Sequence, residues 1–415
     1  MPRPQGFPEE AISTIDAIKN SCVRRAHDKR LSLIYWQCRQ LLAVSPVLFD
    51  LNPKRCKRDF YNFEHELEQL HKFYLSSRIV AVLGPRRIGK TSLILTFLNE
   101  WSVPNIFIDC RRVSLSSYGA SFRGFAEELS RALNAFISSH RGIAGKLLEY
   151  LRGVRGVEID LDMAKLSLRW SSRDRVNIVS LLERLNDFAR EENLRVALIL
   201  DELQELQPVN INFAKLIAYT YDHLTNVVAI LSGSQAGLLY DMLRVDDPTS
   251  PLYGRAVAEA RMGRLSREGA IDLLSRGFAE AGVEVGGDVI EKAVDVLDGV
   301  VGWLTYFGWS YSYKAKDLEE ILNAAAMQEA EEMRRFLAKS RSEKRYRAIL
   351  KTVAEGKNRW SEIKRSLELL EGIEIDDKNF NELLTRLIKA GFLEKIDETY
   401  KVPDTITTRA ILKHL

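Results

Sequence analysis

The chain has 415 residues, 46% hydrophobic and 28% charged, with a net charge of +3. That length exceeds one ordinary domain and that composition excludes a disordered chain, so two or three globular domains are expected. No apolar run approaches the roughly 18 residues that span a bilayer, and residues 1–10 lack a charged-then-apolar leader pattern, so the expectation is a cytoplasmic protein with no membrane partner.

In chain order, residues 1–58 come first as a basic N-terminal helical extension and linker, with 11 Lys and Arg against 5 Asp and Glu. Such a segment suits nucleic acid or an acidic partner, and equally a solvated helix face. Ile12, Ile15, Ile18, Cys22 and Val23 fall at helical spacing, and Pro46 and Pro53 break that pattern. A further helix is expected over 61–74, with Leu67, Leu70 and Phe73 on one face. "RIVAVL" (78–83) reads as a buried strand, "TSLILTFLNEW" (91–101) as a helix and "NIFIDC" (105–110) as a second strand, followed by a helical stretch at 118–151. Residues 156–170 alternate like a surface hairpin, while "LRVALILD" (194–201) and "VVAILSGSQ" (227–235) read as buried strands. Strands alternating with helices predict an α/β fold, a parallel sheet sandwiched by helices, over a core at 59–263. Consecutive helices follow at 264–340, and residues 341–415 show the helix–helix–helix–hairpin order of a winged-helix domain. Cys22, Cys38, Cys56 and Cys110 share no paired spacing, so reduced buried thiols are expected in place of zinc or disulfides.

The densest chemistry lies at Gly84-x4-Gly89-Lys90-Thr91, a full phosphate-loop pattern between a strand and a helix. Its glycines let successive N–H groups turn toward phosphate oxygens, and the following helix adds the positive end of its dipole. Lys90 is expected to reach the β- and γ-phosphates and Thr91 to ligate Mg²⁺. "ALILDE" supplies the complement: Asp201 for Mg²⁺ through its water shell and Glu202 to orient or activate the attacking water. Gln204 and Glu205 continue that exit as a solvated face. Ser232 and Ser234 close the neighbouring strand, where a hydroxyl either senses the γ-phosphate or caps the next helix. Arg255, in "SPLYGRA", has two readings, a surface arginine and a cation entering a neighbour's site.

"VLGPRRIGKTSLI", "ILDELQEL", "LSGSQAGLL" and "PLYGRA", in that order, resemble the archaeal-type P-loop ATPases of the AAA+/STAND group, over roughly residues 58–415. The closing "GKNRWSEIKRSLELLEGIEI…LLTRLIKAGFLEK" resembles the winged-helix domain that such proteins carry. The resemblance implies a P-loop NTPase fold with a helical lid and a winged helix. It implies phosphate binding by Gly84, Pro85, Arg86, Arg87, Ile88, Gly89, Lys90, Thr91 and Ser92. It implies Mg²⁺ and water activation at Asp201 and Glu202, a sensor at Ser234, and a lid around Gly302 and Trp303. "FYNFEHELEQL" matches the helix entry that packs near adenine, with Phe63 where the family has Arg.

ATP with Mg²⁺ is therefore expected, hydrolysed by a switch that couples nucleotide state to the lid and winged helix. An alternative is a DNA-binding ATPase that takes double-stranded DNA, where the switch would take a protein partner, through the winged helix. The third winged-helix element carries Lys378, Asn379, Asn381, Arg386 and Lys389, but also Asp376, Asp377 and Glu382, a near balance. A non-hydrolysing scaffold ranks last, because Lys90, Asp201 and Glu202 are all present. An in-trans Arg255 would require a nucleotide-dependent homo-oligomer.

Overall fold

The structure, a computed structural model, describes residues 48–160, 165–169, 175–233, 236–245, 247–314, 316–338 and 340–415, the side chains of 236–238 excepted. Residues 1–47, with Cys22 and Cys38, and the sensor candidate Ser234 lie outside the described residues.

Helix α1 (Glu64–Ser76) leads into β1 (Ile79–Leu83), the glycine turn and α2 (Lys90–Glu100). β2 (Asn105–Asp109) is followed by α3 (Cys110–Leu115), α4 (Phe122–Ser139) and α5 (Arg141–Leu151), then by the antiparallel hairpin of β3 (Val157–Asp160) and β4 (Lys165–Leu168). Next come α6 (Ile178–Glu191), β5 (Val196–Asp201), α7 (Phe213–His223), β6 (Val227–Gly233), α8 (Ala236–Leu243) and β7 (Ala258–Arg261). The helical region is α9 (Arg267–Ala281), α10 (Gly287–Leu297), α11 (Val301–Lys314) and α12 (Leu318–Leu337). The last unit is α13 (Glu343–Ala354), α14 (Trp360–Glu371), α15 (Asp377–Lys389), the β8 (Glu394–Ile396) and β9 (Thr399–Lys401) wing, and α16 (Thr405–His414).

The five core strands form one parallel sheet in the order β2-β5-β6-β1-β7. β1, β5 and β6 are buried along their whole length because helices cover both faces, which is why they read as unbroken apolar runs. Alternation divides them: Ile79, Ala81 and Leu83 face one layer with Leu198, Leu200 and Leu231. Val80, Val82, Ile199 and Ile230 face the other. The first layer is α3 to α8, and the second is α1 and α2 together with the helical region. The chain leaves β1, beside β6, for the far edge strand β2, so the carboxyl end of β1 lies at a topological switch point, where open α/β sheets hold their ligands.

α12 belongs to two cores. Ile321, Leu322 and Ala325 pack with the helical region, and Ala326, Ala330, Met333 and Leu337 pack with the winged helix. "FLEKIDETYKVPD" (392–404), read as the strand-like hairpin, forms the two three-residue wing strands, and α16, which the sequence reading did not place, follows with its N-cap Asp404 accepting from the Thr407 N–H. The stretch 118–151 is two helices separated at His140. Cys110 is buried as expected, whereas Cys56 is exposed in the turn before Phe60. No described helix is long and apolar enough to cross a membrane.

Candidate nucleotide site

The glycine turn leaves β1 at Leu83 and enters α2 at Lys90. Gly89 is the N-cap of that eleven-residue helix at φ 95°, a backbone angle that a side chain would strain, and it supplies no side-chain cap. The first N–H groups of α2 therefore face the turn without a capping oxygen, the arrangement that accepts an anion. A methyl group at Gly89 would lie 3.8 Å from Met262 Cε and Val301 Cγ1 and 3.9 Å from Phe60 Cε2, so this end of the loop has an apolar wall. Phe63 is buried and stacks on Phe60 at 5.5 Å, placing it in the core beneath that wall. Ile88 is fully buried, and Ser92 Oγ accepts the backbone N–H of Lys54 at 3.0 Å.

Lys90 is 5% exposed, and its Nζ donates to the carbonyls of Gly84 at 2.9 Å and Pro85 at 2.8 Å. Burial pulls its pKa down to about 8 while Glu202 and Asp201 oppose the fall. The ammonium thus folds back on the loop's own oxygens, positions that phosphate oxygens can replace.

Opposite it, Asp201 at the tip of β5 is fully buried and accepts the Thr91 hydroxyl at 2.9 Å. Ser232, at the end of β6, donates to the other Asp201 oxygen and accepts the N–H of Glu202 at 3.0 Å. Burial raises the Asp201 pKa, against the lowering effect of its hydroxyl donors and Arg111. Glu202 is held in the left-handed region at φ 59° and ψ 51°, a strained setting for a non-glycine residue that fixes where its carboxylate emerges. Gln204, expected on a solvated face, is buried and donates to Glu202 Oε2 at 2.5 Å. The Thr91 hydroxyl beside the Asp201 carboxylate is a pair of hard oxygen donors, the kind magnesium takes, so the residues present fit that ion.

The loop arginines point elsewhere. Arg86 Nη1 and Arg87 Nη2 reach the two oxygens of Glu332 on α12 at 2.6 and 2.7 Å. Arg87 Nε lies 3.7 Å from the buried Glu329 and its guanidinium 4.1 Å from the Trp303 ring centroid. Arg86 lies 5.2 Å from the Phe392 ring centroid in the winged-helix core, and the Gly302 N–H donates to the Arg87 carbonyl at 2.8 Å. Backbone from the loop and side chains from the lid, α12 and the winged helix thus meet at these two arginines. Arg255 is held by Asp222 of α7, with Nε donating to Oδ1 at 2.9 Å and Nη2 to Oδ2 at 2.5 Å.

Sequence reasoning brought Lys90, Thr91, Asp201, Glu202 and Ser232 to one place and missed Arg111, whose Nη2 lies 3.6 Å from Asp201. It also missed Glu329 and Glu332. Glu329 falls among Ala325, Ala326, Ala330 and Met333, an acid on an apolar helical stripe, and that was the available signal.

Comparison with family models matches residues 60–307 to an ATPase domain predominantly from Archaea and residues 339–402 to the C-terminal winged helix-turn-helix domain of MCM proteins. Among solved structures, the Walker-type ATPase of Pyrococcus abyssi is similar over 88% of this chain and 99% of its own, at 31% identity and a TM-score of 0.73. The ORC2 protein of Aeropyrum pernix is similar over 89% of this chain and 96% of its own, at 13% identity and a TM-score of 0.53, a likeness of fold. Comparison with curated proteins gave no match.

Proposed function

This chain belongs to the family of ATPase domains found predominantly in Archaea, and we propose that it is an ATP-hydrolysing switch whose nucleotide state governs how the core holds its lid and winged helix. In this reading residues 59–263 are the core, 264–340 the lid and 341–415 the winged-helix domain, with 1–58 as a basic extension. The phosphates of ATP lie along Gly84–Ser92, and Lys90 exchanges its two carbonyl acceptors for β- and γ-phosphate oxygens. Thr91 and Asp201 hold Mg²⁺, which when bound neutralises charge on those phosphates. Glu202 takes a proton from the water that attacks the γ-phosphorus. The bond to the β–γ bridging oxygen then breaks, and ADP and inorganic phosphate leave. Ser234, the residue after Gly233 in the sequence, serves as the γ-phosphate sensor.

The observation that supports the switch is the clasp of Arg86 and Arg87 on Glu332 and Glu329. Phosphate in the loop competes with those carboxylates for the same two guanidiniums. Nucleotide therefore has a differential affinity for clasped and unclasped states, the requirement for shifting their populations. The buried Nε atoms of both arginines have no hydrogen-bond partner among the described residues, so the clasp is not at its most stable and can be exchanged. The test is ATP turnover by the wild type, with the core-to-winged-helix distance measured by fluorescence transfer without nucleotide, with ADP, and with ATP in Glu202→Gln. No turnover removes the hydrolase, and one distance in all three states removes the switch.

A second reading, a DNA-binding ATPase acting in replication, repair or mobile-element maintenance, is favoured by the exposed row of Lys378, Asn379, Asn381 and Arg386 on α15. Lys389, on the same helix, bonds to Asp241 of α8 at 2.5 Å, so the helix is partly held by the core in this state. Salt-insensitive or absent binding to duplex DNA, with turnover that DNA leaves unchanged, would remove that reading. For Arg255 to act in a neighbour's site it must leave Asp222, and a solution mass of one chain with and without ATP would exclude this role and the homo-oligomer with it.

A further inference from the structure

Three described arginines lie at or beside the nucleotide site, and two of them, Arg86 and Arg87, are clasped to α12. The third, Arg111, sits two residues beyond the end of β2, the edge strand that pairs with β5 so that Asp109 lies in register with Asp201. Its backbone N–H and Nε donate to Asp109 Oδ1 at 3.1 and 2.9 Å, and Nη2 donates to Asp109 Oδ2 at 3.0 Å. That fork aims the guanidinium across the strand ends, and Nη2 comes within 3.6 Å of Asp201 Oδ2. The same oxygen accepts the Thr91 hydroxyl at 2.9 Å, so the arginine and the phosphate-loop threonine converge on one atom. Arg111 is also close enough to Lys90 to depress that ammonium's affinity for its proton. Its side chain is 49% exposed, and Nη1 has no hydrogen-bond partner among the described residues.

Resting on the reading of this site as an ATP site, we propose that Arg111 is a second cation of this same chain, beside Lys90, that touches the terminal phosphate, and that it gives the site its preference for ATP over ADP. Asp109 serves as the positioning residue that holds the guanidinium over the strand ends. A planar fork with one nitrogen uncommitted is suited to a phosphoryl oxygen. ADP presents no group at that distance, so the contact discriminates between the two nucleotides.

The test is equilibrium binding of a non-hydrolysable ATP analogue and of ADP, by calorimetry, to the wild-type full chain and to Arg111→Gln, Arg111→Lys and Asp109→Asn, with thermal melts to establish folding. Arg111→Gln should weaken the ATP analogue about 10- to 100-fold, the range for one charge-assisted hydrogen bond to phosphate, and change ADP by less than about threefold. Arg111→Lys should recover part of the loss, and Asp109→Asn should cost less than Arg111→Gln. Equal losses for both nucleotides, or no loss for either, overturn the proposal while leaving the ATP site standing. A wild type that binds neither nucleotide overturns both. If Arg111→Gln melts well below the wild type, Arg111→Lys decides: preference for the ATP analogue retained relative to ADP supports the contact, and preference lost overturns it.

Discussion

Replacing Glu332 with Gln removes the one carboxylate that two phosphate-loop guanidiniums share, at 2.6 and 2.7 Å, and keeps its shape. A charge-assisted hydrogen bond contributes about 1.5–3 kcal/mol, but Glu332 is 36% exposed and each arginine 23%, so screening reduces each to about 1 kcal/mol. Together they hold the clasp by about 2 kcal/mol, a factor of about 30 in the ratio of clasped to unclasped molecules. The Arg87–Glu329 pair at 3.7 Å and the Arg87–Trp303 contact remain, so Glu332→Gln should loosen the junction without unfolding it. Hydrogen exchange resolves this: amides of the 326–337 half of α12 should exchange up to about 30-fold faster in Glu332→Gln when nucleotide is absent. Adding nucleotide should accelerate the same amides in the wild type and change the variant little, because its clasp is already weakened. Wild-type exchange that ignores nucleotide, or a variant that exchanges as slowly as the wild type, would refute the reasoning that the loop and α12 compete for these arginines.

Three further outcomes follow from the same geometry. Glu202→Gln should bind ATP as the wild type does and lose about 10²- to 10⁴-fold in turnover, measured by phosphate release; retained turnover would move the water-activating role elsewhere. Phe49 is fully buried, and a methyl group placed on Gly277 of α9 or Gly308 of α11 would meet its ring at 2.3 or 2.2 Å. Phe49→Ala should therefore lose about 3–5 kcal/mol by cavity formation and Gly308→Ala about 1–3 kcal/mol by overpacking, read by urea unfolding. Burial raises the Glu329 pKa, with Glu332 adding to the rise, so the folded chain holds that proton more tightly than the unfolded chain does. Stability accordingly falls as pH rises from the ordinary glutamate value through the raised one, and Glu329→Gln should melt above the wild type at pH 8, with the gap closing toward pH 4.

The sheet was legible because a strand covered on both faces cannot hide its composition: β1, β5 and β6 are apolar at nearly every position, and β5 ends in Asp201 while β6 carries Ser232 one residue before its end. The four-residue β7, "AEAR", was not legible, since only Ala260 is buried and the strand is held by pairing with β1. The segment around Pro46 and Pro53 read as a linker because those prolines break the helical pattern and "NPKRCKRD" (52–59) is polar, yet Phe49 between the two prolines is anchored among α9 and α11. Leu48 is buried beside it, and Gly277 and Gly308 open a slot of the ring's width.

The site divides along the same line. The juxtaposition of Lys90 and Thr91 with Asp201 and Glu202 was readable because a phosphate-loop pattern opening a helix and an acidic strand end are the parts that phosphate chemistry pairs. The destination of Arg86 and Arg87 was not readable, because a motif fixes the backbone of its loop and leaves the reach of its variable positions to tertiary contacts. Both arginines sit where the backbone turns, Arg87 at φ 60°, which directs their side chains out of the loop toward α12. Their partners lie some 240 residues downstream, on a helix whose two ends pack in different cores. A helix shared in this way transmits a change at one end to the other as a rigid rod, since its backbone bonds are internal. In the proposed switch, an event that frees Arg86 and Arg87 therefore acts on the lid and the winged helix together, with α12 as the element that carries the change between them.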